Sequence, residues 1–209
     1  MKTGFFHYYT GTLIRPYRTF TELAGEPGKL RYSLTAVSVT AIVYTFVYIF
    51  LIFGDGRPFS PWLNIPPEVY YRYNVIFCAP SMFLGWILAS AVVQFISRSM
   101  SSQGDFEQSL AVTGFGLSMA SWSTGIHDLI SSFLGAIHVI NQQEFEHALN
   151  SPTIWRTILW ILMIAYLSWF ILLFSKGYKA IYHIKTWQSV ILGTVGFITY
   201  QLFFFIFNR

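Results

Sequence analysis

The side chains in this 209-residue sequence with the types and spacing for chemistry cluster in one region: His127, Asp128, His138, Glu144 and His147. Imidazole and carboxylate are ligands for zinc, copper or iron. Glu144 and His147 stand at i and i+3, on one face if the segment is helical. His127 and His138 are three helical turns apart, so they share a face but sit about 16 Å apart along the axis. They cannot meet at one ion without a bend, and no HExxH pattern accompanies them. The expectation is therefore solvated polar residues, with no metal and no cofactor, and His127, His138 and His147 replaceable.

Other chemistries find less support. No GxSxG motif is present, and no nucleophile–base pair or pair of acids lies within an apolar stretch. The single cysteine, Cys78, has no partner for a disulfide and sits inside an apolar run, which reads as a small core residue. Asp105 and Glu107 precede the third apolar run, where acidic groups favour a helix N-terminus, with Asp105 as N-cap. The expectation is that the protein is not an enzyme. Only 11% of residues are charged, against about 25% in a soluble domain. The net charge of +4 comes with no basic run, so nucleic acid is not an expected partner.

The elements that carry these residues are apolar: 54% of the chain is hydrophobic and 20% aromatic. Five stretches stand out, Ser33–Phe53, Val75–Ile96, Gln108–Gly125, Ile154–Phe174 and Trp187–Phe207. At about 1.5 Å per residue, some 20 residues match a hydrocarbon core roughly 30 Å thick. Backbone in lipid must satisfy its own hydrogen bonds, so such stretches read as membrane-spanning helices. The fold class expected is an all-α integral membrane protein with five transmembrane helices, one membrane domain over residues 1–209. No cleavable signal is expected, since the first stretch is too long and starts too late. Nine of the thirteen basic residues fall before the first stretch, after the second or after the fourth. That bias predicts a cytoplasmic N-terminus and an external C-terminus.

The third stretch is diluted by Thr113, Ser118, Ser121, Ser123 and Thr124 and by Gly114, Gly116 and Gly125. Small and hydroxyl residues let helices approach and bond across one another in a membrane. The pairs Gly114/Ser118 and Ser121/Gly125 predict a helix at the centre of the bundle, whereas Thr194 and Gly196 of the fifth stretch are expected to matter less. The alternative is a transport pathway lined by Thr113, Ser118, Ser121 and Thr124. No Asp, Glu, Lys or Arg lies at mid-depth of any stretch, which argues against a proton-coupled pump. Pro80 and Gln94 interrupt the second stretch, as a kink and a helix–helix hydrogen bond.

Among the connections, Phe5, Phe6, Tyr8 and Tyr9 form an aromatic cluster. The run from Arg15 to Leu23 follows as a short helix, with Pro16 in its first turn and a stripe of Tyr17, Phe20, Leu23 and Ala24. This predicts an interfacial N-terminal helix, with Arg15, Tyr17, Arg18 and Phe20 as its lipid-facing or docking residues. Trp62, Tyr70, Tyr71 and Tyr73, among prolines, predict an aromatic belt at the outer interface. The segment Ile126–Ile140 spans the membrane itself, prolongs the third span or lies along the surface, and residues 141–147 read as solvated helix or loop.

The order of these features resembles a known family. Arg15-Pro16-Tyr17-Arg18-Thr19-Phe20, then Leu23 and Pro27, is similar to the lead-in of the Yip family, the Ypt/Rab-interacting membrane proteins with bacterial and archaeal relatives. The run Gly104-Asp105-Phe106-Glu107-Gln108-Ser109-Leu110-Ala111 resembles that family's approach to its third span, and Leu172, Lys179, Ala180 and His183 its short basic connection. The resemblance implies a cytoplasmic N-terminus, five helices and a non-enzymatic role. In eukaryotic relatives that role is vesicle traffic and binding of prenylated small GTPases. The long acidic N-terminal region of those relatives has no counterpart here, which implies a prokaryotic-type member in the cytoplasmic membrane, with no GTPase partner carried over. Family members often place a proline where this chain has Ser118-Met119-Ala120-Ser121. The partners implied are the lipid bilayer and either another membrane protein or a second copy.

Overall fold

A computed structural model describes residues 4–58, 63–100 and 104–208. Lys2, Pro61, Trp62, Gln103 and Arg209 lie outside the described residues. Every regular element among those described is an α-helix: α1 (Phe5–Ile14), α2 (Pro16–Ala24), α3 (Lys29–Phe53), α4 (Pro67–Ser99), α5 (Phe106–Ala136), α6 (Gln142–Asn150), α7 (Ile154–Tyr182) and α8 (Thr186–Asn208). Four of them, α3, α4, α7 and α8, are long and apolar enough to cross a membrane. Each covers one of the expected stretches and outruns it, because the helix continues until a turn or a left-handed residue stops it. Pro80 lies inside α4 without ending it.

The helix α5 has 31 residues and the expected third stretch within it, but its glycines and hydroxyls keep it out of that apolar set. Its environment explains the composition. Every position from Ala111 to Ser121 is buried. A helix surrounded by protein on all sides gains nothing from leucine against lipid, and it needs small residues to admit its neighbours. The segment Ile126–Ile140 prolongs α5 as far as Ala136, and the buried face there is Ser132 and Gly135.

Contacts fix the directions. The hydroxyl of Ser33 donates to the carbonyls of Leu110 (3.1 Å) and Ala111 (3.3 Å), Thr40 donates to Ser118 (2.7 Å), and Tyr44 meets Thr124 (3.2 Å). Gly54 closes on the backbone of Gly135 at the far end. Thus α3 and α5 run parallel, side by side along the whole length of α3. The near ends are also joined by Lys29 and Glu107 at 3.6 Å. Antiparallel to them runs α4, with Trp86 donating to Leu110 (2.8 Å), Ser109 to the carbonyl of Ser90 (3.1 Å) and Gln94 to that of Gly104 (2.9 Å). On the opposite side α7 returns antiparallel, with Tyr178 at Thr113 (3.0 Å). The aromatic rings of Phe170, Phe197 and Tyr200 pack α7 on α8, and Tyr200 lies against Gly85 of α4.

Gly114 is the tightest point. A Cβ there would meet the hydroxyl of Ser33 and come within 3.0 Å of the indole nitrogen of Trp86. At Gly125 the nearest atoms, on Tyr44, lie at 3.7 Å, an ordinary contact. The two small-residue pairs are therefore not equivalent. Gly196, expected to be tolerant, is not: a Cβ would lie 2.8 Å from the Tyr178 hydroxyl. Overpacking of a fitted site costs about 1–3 kcal/mol, while glycine to alanine in an open helix position gains about 0.5–1 kcal/mol. Gly114→Ala and Ser118→Leu should therefore lower the unfolding midpoint of the detergent-solubilised protein, and Gly125→Ala should hold or raise it. Thr194→Leu, half-exposed on α8, should be neutral. A Gly114→Ala protein as stable as the wild type would remove α5 from the packing centre.

Candidate functional site

The five residues with metal-ligand chemistry do not converge. Among the described residues no group of three His, Cys, Asp or Glu side chains could hold an ion. His127 pairs with its neighbour Asp128 (3.1 Å) on α5. Glu144 and His147 lie on α6, whose N-cap Asn141 accepts from the amides of Gln143 and Glu144, while the Asn141 side chain donates to Glu144 (3.1 Å). His147 bonds to Ser151 (3.2 Å). His138 terminates α5: its φ is +57°, in the left-handed region, and its amide closes on Gly135 (2.9 Å). Asp55 and His183 stop α3 and α7 in the same conformation. Polar residues tolerate it better than branched ones, and for most side chains it costs about 1–2 kcal/mol.

The residue missed in this region is Glu146. It is half-buried; Oε2 accepts from the backbone N–H of Arg57 (3.1 Å), which ties α6 to the turn after α3, and Oε1 accepts from Gln142 of the same helix (3.2 Å). Burial pushes its carboxyl above the ordinary 4.5, outweighing those hydrogen bonds. Only the Gln142/Glu146 spacing hinted at this in the sequence. Of the expected aromatic belt, Tyr70 is buried, Tyr71 stacks on Tyr48 and Tyr73 is exposed.

Toward the far end of α5 the helices part. A cavity of about 520 Å³ opens between α3, α5, α7 and α8, with Tyr44, Asp128, Arg156, Trp160 and Tyr166 in its wall. Neither Asp128 nor Arg156 had been placed at a common site by the sequence.

At the other end the chain before α3 forms two helices. The stripe of α2 is helical where expected, but Phe20 and Leu23 are fully buried, Phe20 beside Gly177 of α7. The residues Arg15, Tyr17 and Arg18 stay exposed, and Arg18 pairs with Glu22 (2.8 Å). Ahead of it α1 lies against α5, with Phe5 and Tyr9 around Phe115. The hydroxyl of Tyr9 accepts from the indole N–H of Trp122 (2.6 Å) and meets Ser118 (3.0 Å). The expected cluster Phe5, Phe6, Tyr8 and Tyr9 thus places its tyrosines on protein: Tyr8 donates to Glu26 (2.8 Å).

The hydroxyls suggested as a pathway are occupied. Thr113 bonds to α7, Ser118 to α3 and α1, Ser121 to the carbonyl of Leu117 in its own helix (2.9 Å) and Thr124 to Tyr44. Three of them meet neighbouring helices, Ser121 stays on its own helix, and Thr124 also borders the outer cavity. Gln94 likewise bridges helices, accepting from Tyr182 (2.7 Å).

Apolar helices closed around a core of small polar residues, with their outer faces left to lipid, define an integral membrane protein of the helical class. The Yip1 domain family model matches residues 10–208, nearly the whole chain, and the chain belongs to that family, one of non-enzymatic membrane proteins. No curated protein and no solved structure matches it.

Two outcomes test this outer region. The folded protein holds the Glu146 proton more tightly than the unfolded chain, so the stability it contributes is full below 4.5 and is lost as pH rises through the raised value. The midpoint difference between wild type and Glu146→Gln should therefore shift in favour of the variant as pH increases from acid to neutral. A difference independent of pH would show that Glu146 is not held in a desolvated site. At the α5 terminus, His138→Gly should fold normally with unchanged metal content, whereas His138→Val should lose about 1–2 kcal/mol. Equal stabilities would sink the helix-stop role, and zinc lost with His138 would restore a metal role.

Proposed function

We propose that this chain is a five-span, non-enzymatic organising module of the prokaryotic cytoplasmic membrane, and that it recruits a membrane-protein partner or a second copy through its N-terminal helix pair. The observation that carries this reading is the two-faced character of that pair. Tyr9, Phe20 and Leu23 fasten it to the core, while Arg15, Tyr17 and Arg18 remain outward. Its outer side holds a cleft of about 310 Å³ bordered by His7, Ile14, Arg15, Arg18 and Glu22, with charges of both signs. A docking surface built this way is rigid before it binds, which lowers the ordering cost of association. Phe20 serves as its anchor from below.

Support for the fifth span comes from α5 keeping company with α3 from Ser33 to Gly54: if α3 crosses the bilayer, its parallel neighbour crosses with it. Support for a cytoplasmic N-terminus comes from the basic residues, which gather on the side of Lys29, Arg98 and Lys179. Transport is the weaker reading, because three of the four hydroxyls it needs are bonded between helices.

One set of variants tests both parts, since the native Cys78 is buried and leaves introduced thiols as the reactive ones. A membrane-impermeant maleimide should label Gln143→Cys in intact cells and Tyr17→Cys only after permeabilisation. A short photo-crosslinker on Tyr17→Cys should give a discrete higher-mass adduct at native expression. The reverse labelling pattern would overturn the orientation, and recovery of the monomer alone would overturn the recruiting role.

A further inference from the structure

The cavity at the far end of α5 adjoins a second space across shared walls. A groove of about 340 Å³ runs between α7 and α8, and Trp160, Met163, Tyr166 and Phe205 border both. The two spaces differ in chemistry. The groove wall is apolar, made by Ile164, Leu167, Ile198 and Leu202, all left open on the outer surface. The cavity carries Asp128 and Arg156. Among the described residues the Arg156 guanidinium has no ion-pair or hydrogen-bond partner, and Asp128 is engaged only by His127. Both charges stand on the side of the bundle remote from Lys29 and Glu107, Asp128 about two turns before the end of α5 and Arg156 in the first turn of α7.

The charges line the cavity, and the apolar slot runs from it along α7. From Arg156 to Leu167 the slot descends about 16 Å along α7, roughly half of a hydrocarbon core. This helix is also the one least covered by the rest of the protein: 22% of its most apolar window is buried, against 39% for α3, α4 and α8. An exposed Trp160 stands where the two spaces meet, a side chain suited to the boundary between headgroups and acyl chains.

A cation and an anion in one cavity beside an apolar slot complement a zwitterionic amphiphile. We infer that this site seats one phospholipid with a phosphoethanolamine headgroup, its phosphate on Arg156, its ammonium on Asp128 and one acyl chain in the α7–α8 groove. Arginine matches phosphate oxygens with paired N–H donors, and a carboxylate accepts from a primary ammonium, which a choline headgroup cannot offer. A helix from another protein would fill the groove equally well but would leave the two charges unmatched.

The test is native mass spectrometry of delipidated full-length protein in detergent, with added phosphatidylethanolamine, phosphatidylcholine or phosphatidylglycerol. Wild type should retain one phosphatidylethanolamine about tenfold more tightly than either of the others, as expected for one or two charge-assisted bonds. Asp128→Asn should abolish that preference while residual binding persists, and Arg156→Gln should weaken all three lipids. Ile164→Trp, on the exposed groove wall, should block retention with the thermal midpoint unchanged. Equal retention of the three lipids by wild type, or binding unaffected by both charge variants, would overturn the site. A dimer that forms without lipid and dissociates with Ile164→Trp would assign the groove to a second copy instead.

Discussion

The carbonyl of Leu110 is where three helices are joined. Four residues later comes Gly114, and with no side chain there the carbonyl lies open to the outside of α5. Ser33 from α3 and Trp86 from α4 both donate to it. Each bond alone contributes about 0.5–1.5 kcal/mol. The larger constraint is the alternative: in hydrocarbon, an indole N–H or hydroxyl without a partner costs several kcal/mol. A side chain at Gly114 would separate the donors from their acceptor and push α3 and α4 outward together. The register of α3 beside α5 follows from this point, since Thr40 then arrives at Ser118 and Tyr44 at Thr124.

The same four-residue spacing carries the N-terminal pair. Leu110, Gly114, Ser118 and Trp122 line one ridge of α5, and ridges of this spacing are what neighbouring helices pack into. Tyr9 enters where Ser118 and Trp122 offer a hydroxyl and an indole N–H. The bundle therefore inverts the usual order of a soluble core. Its most enclosed helix is the long one without an apolar run sufficient to cross a membrane, and the more apolar helices face outward, because lipid supplies no hydrophobic force to press helices together and close packing with polar bonds must do so.

How much of this was legible depends on the range of the interaction. Local signals were readable: Asp105 forms a capping box with Gln108, and Pro16 opens α2, as their positions predict. The apolar stretches read as five spans; four of those helices are long and apolar enough to cross, and the small residues of the third marked a buried one. What could not be read were choices made by partners far along the chain. Gly114 and Gly125 look alike in sequence, yet only Gly114 faces Ser33 and Trp86 across helices. Gly196 looked idle until Tyr178 was found against it. Tyr9 reads as an interfacial aromatic, and its partners lie more than a hundred residues away. His138 carries ligand chemistry in its ring, but its backbone conformation decides its place.

The distribution of charge then separates structure from function along the axis of α5. Through the middle, from Ser109 to Ser121, the buried polar groups that pin it to α3, α4, α7 and α1 are neutral and hydrogen-bonded between helices or to their own helix. Such a region holds shape. Charges gather toward the two sides: Arg15, Arg18 and Glu22 around the N-terminal pair, Asp128 and Arg156 around the outer cavity. Between Ser118, which receives Tyr9, and Thr124, which receives Tyr44 of the cavity wall, α5 runs less than two turns, about 9 Å. The two charged ends are thus mounted on one short rigid segment, and the neutral seam keeps them in a fixed relation across the bundle.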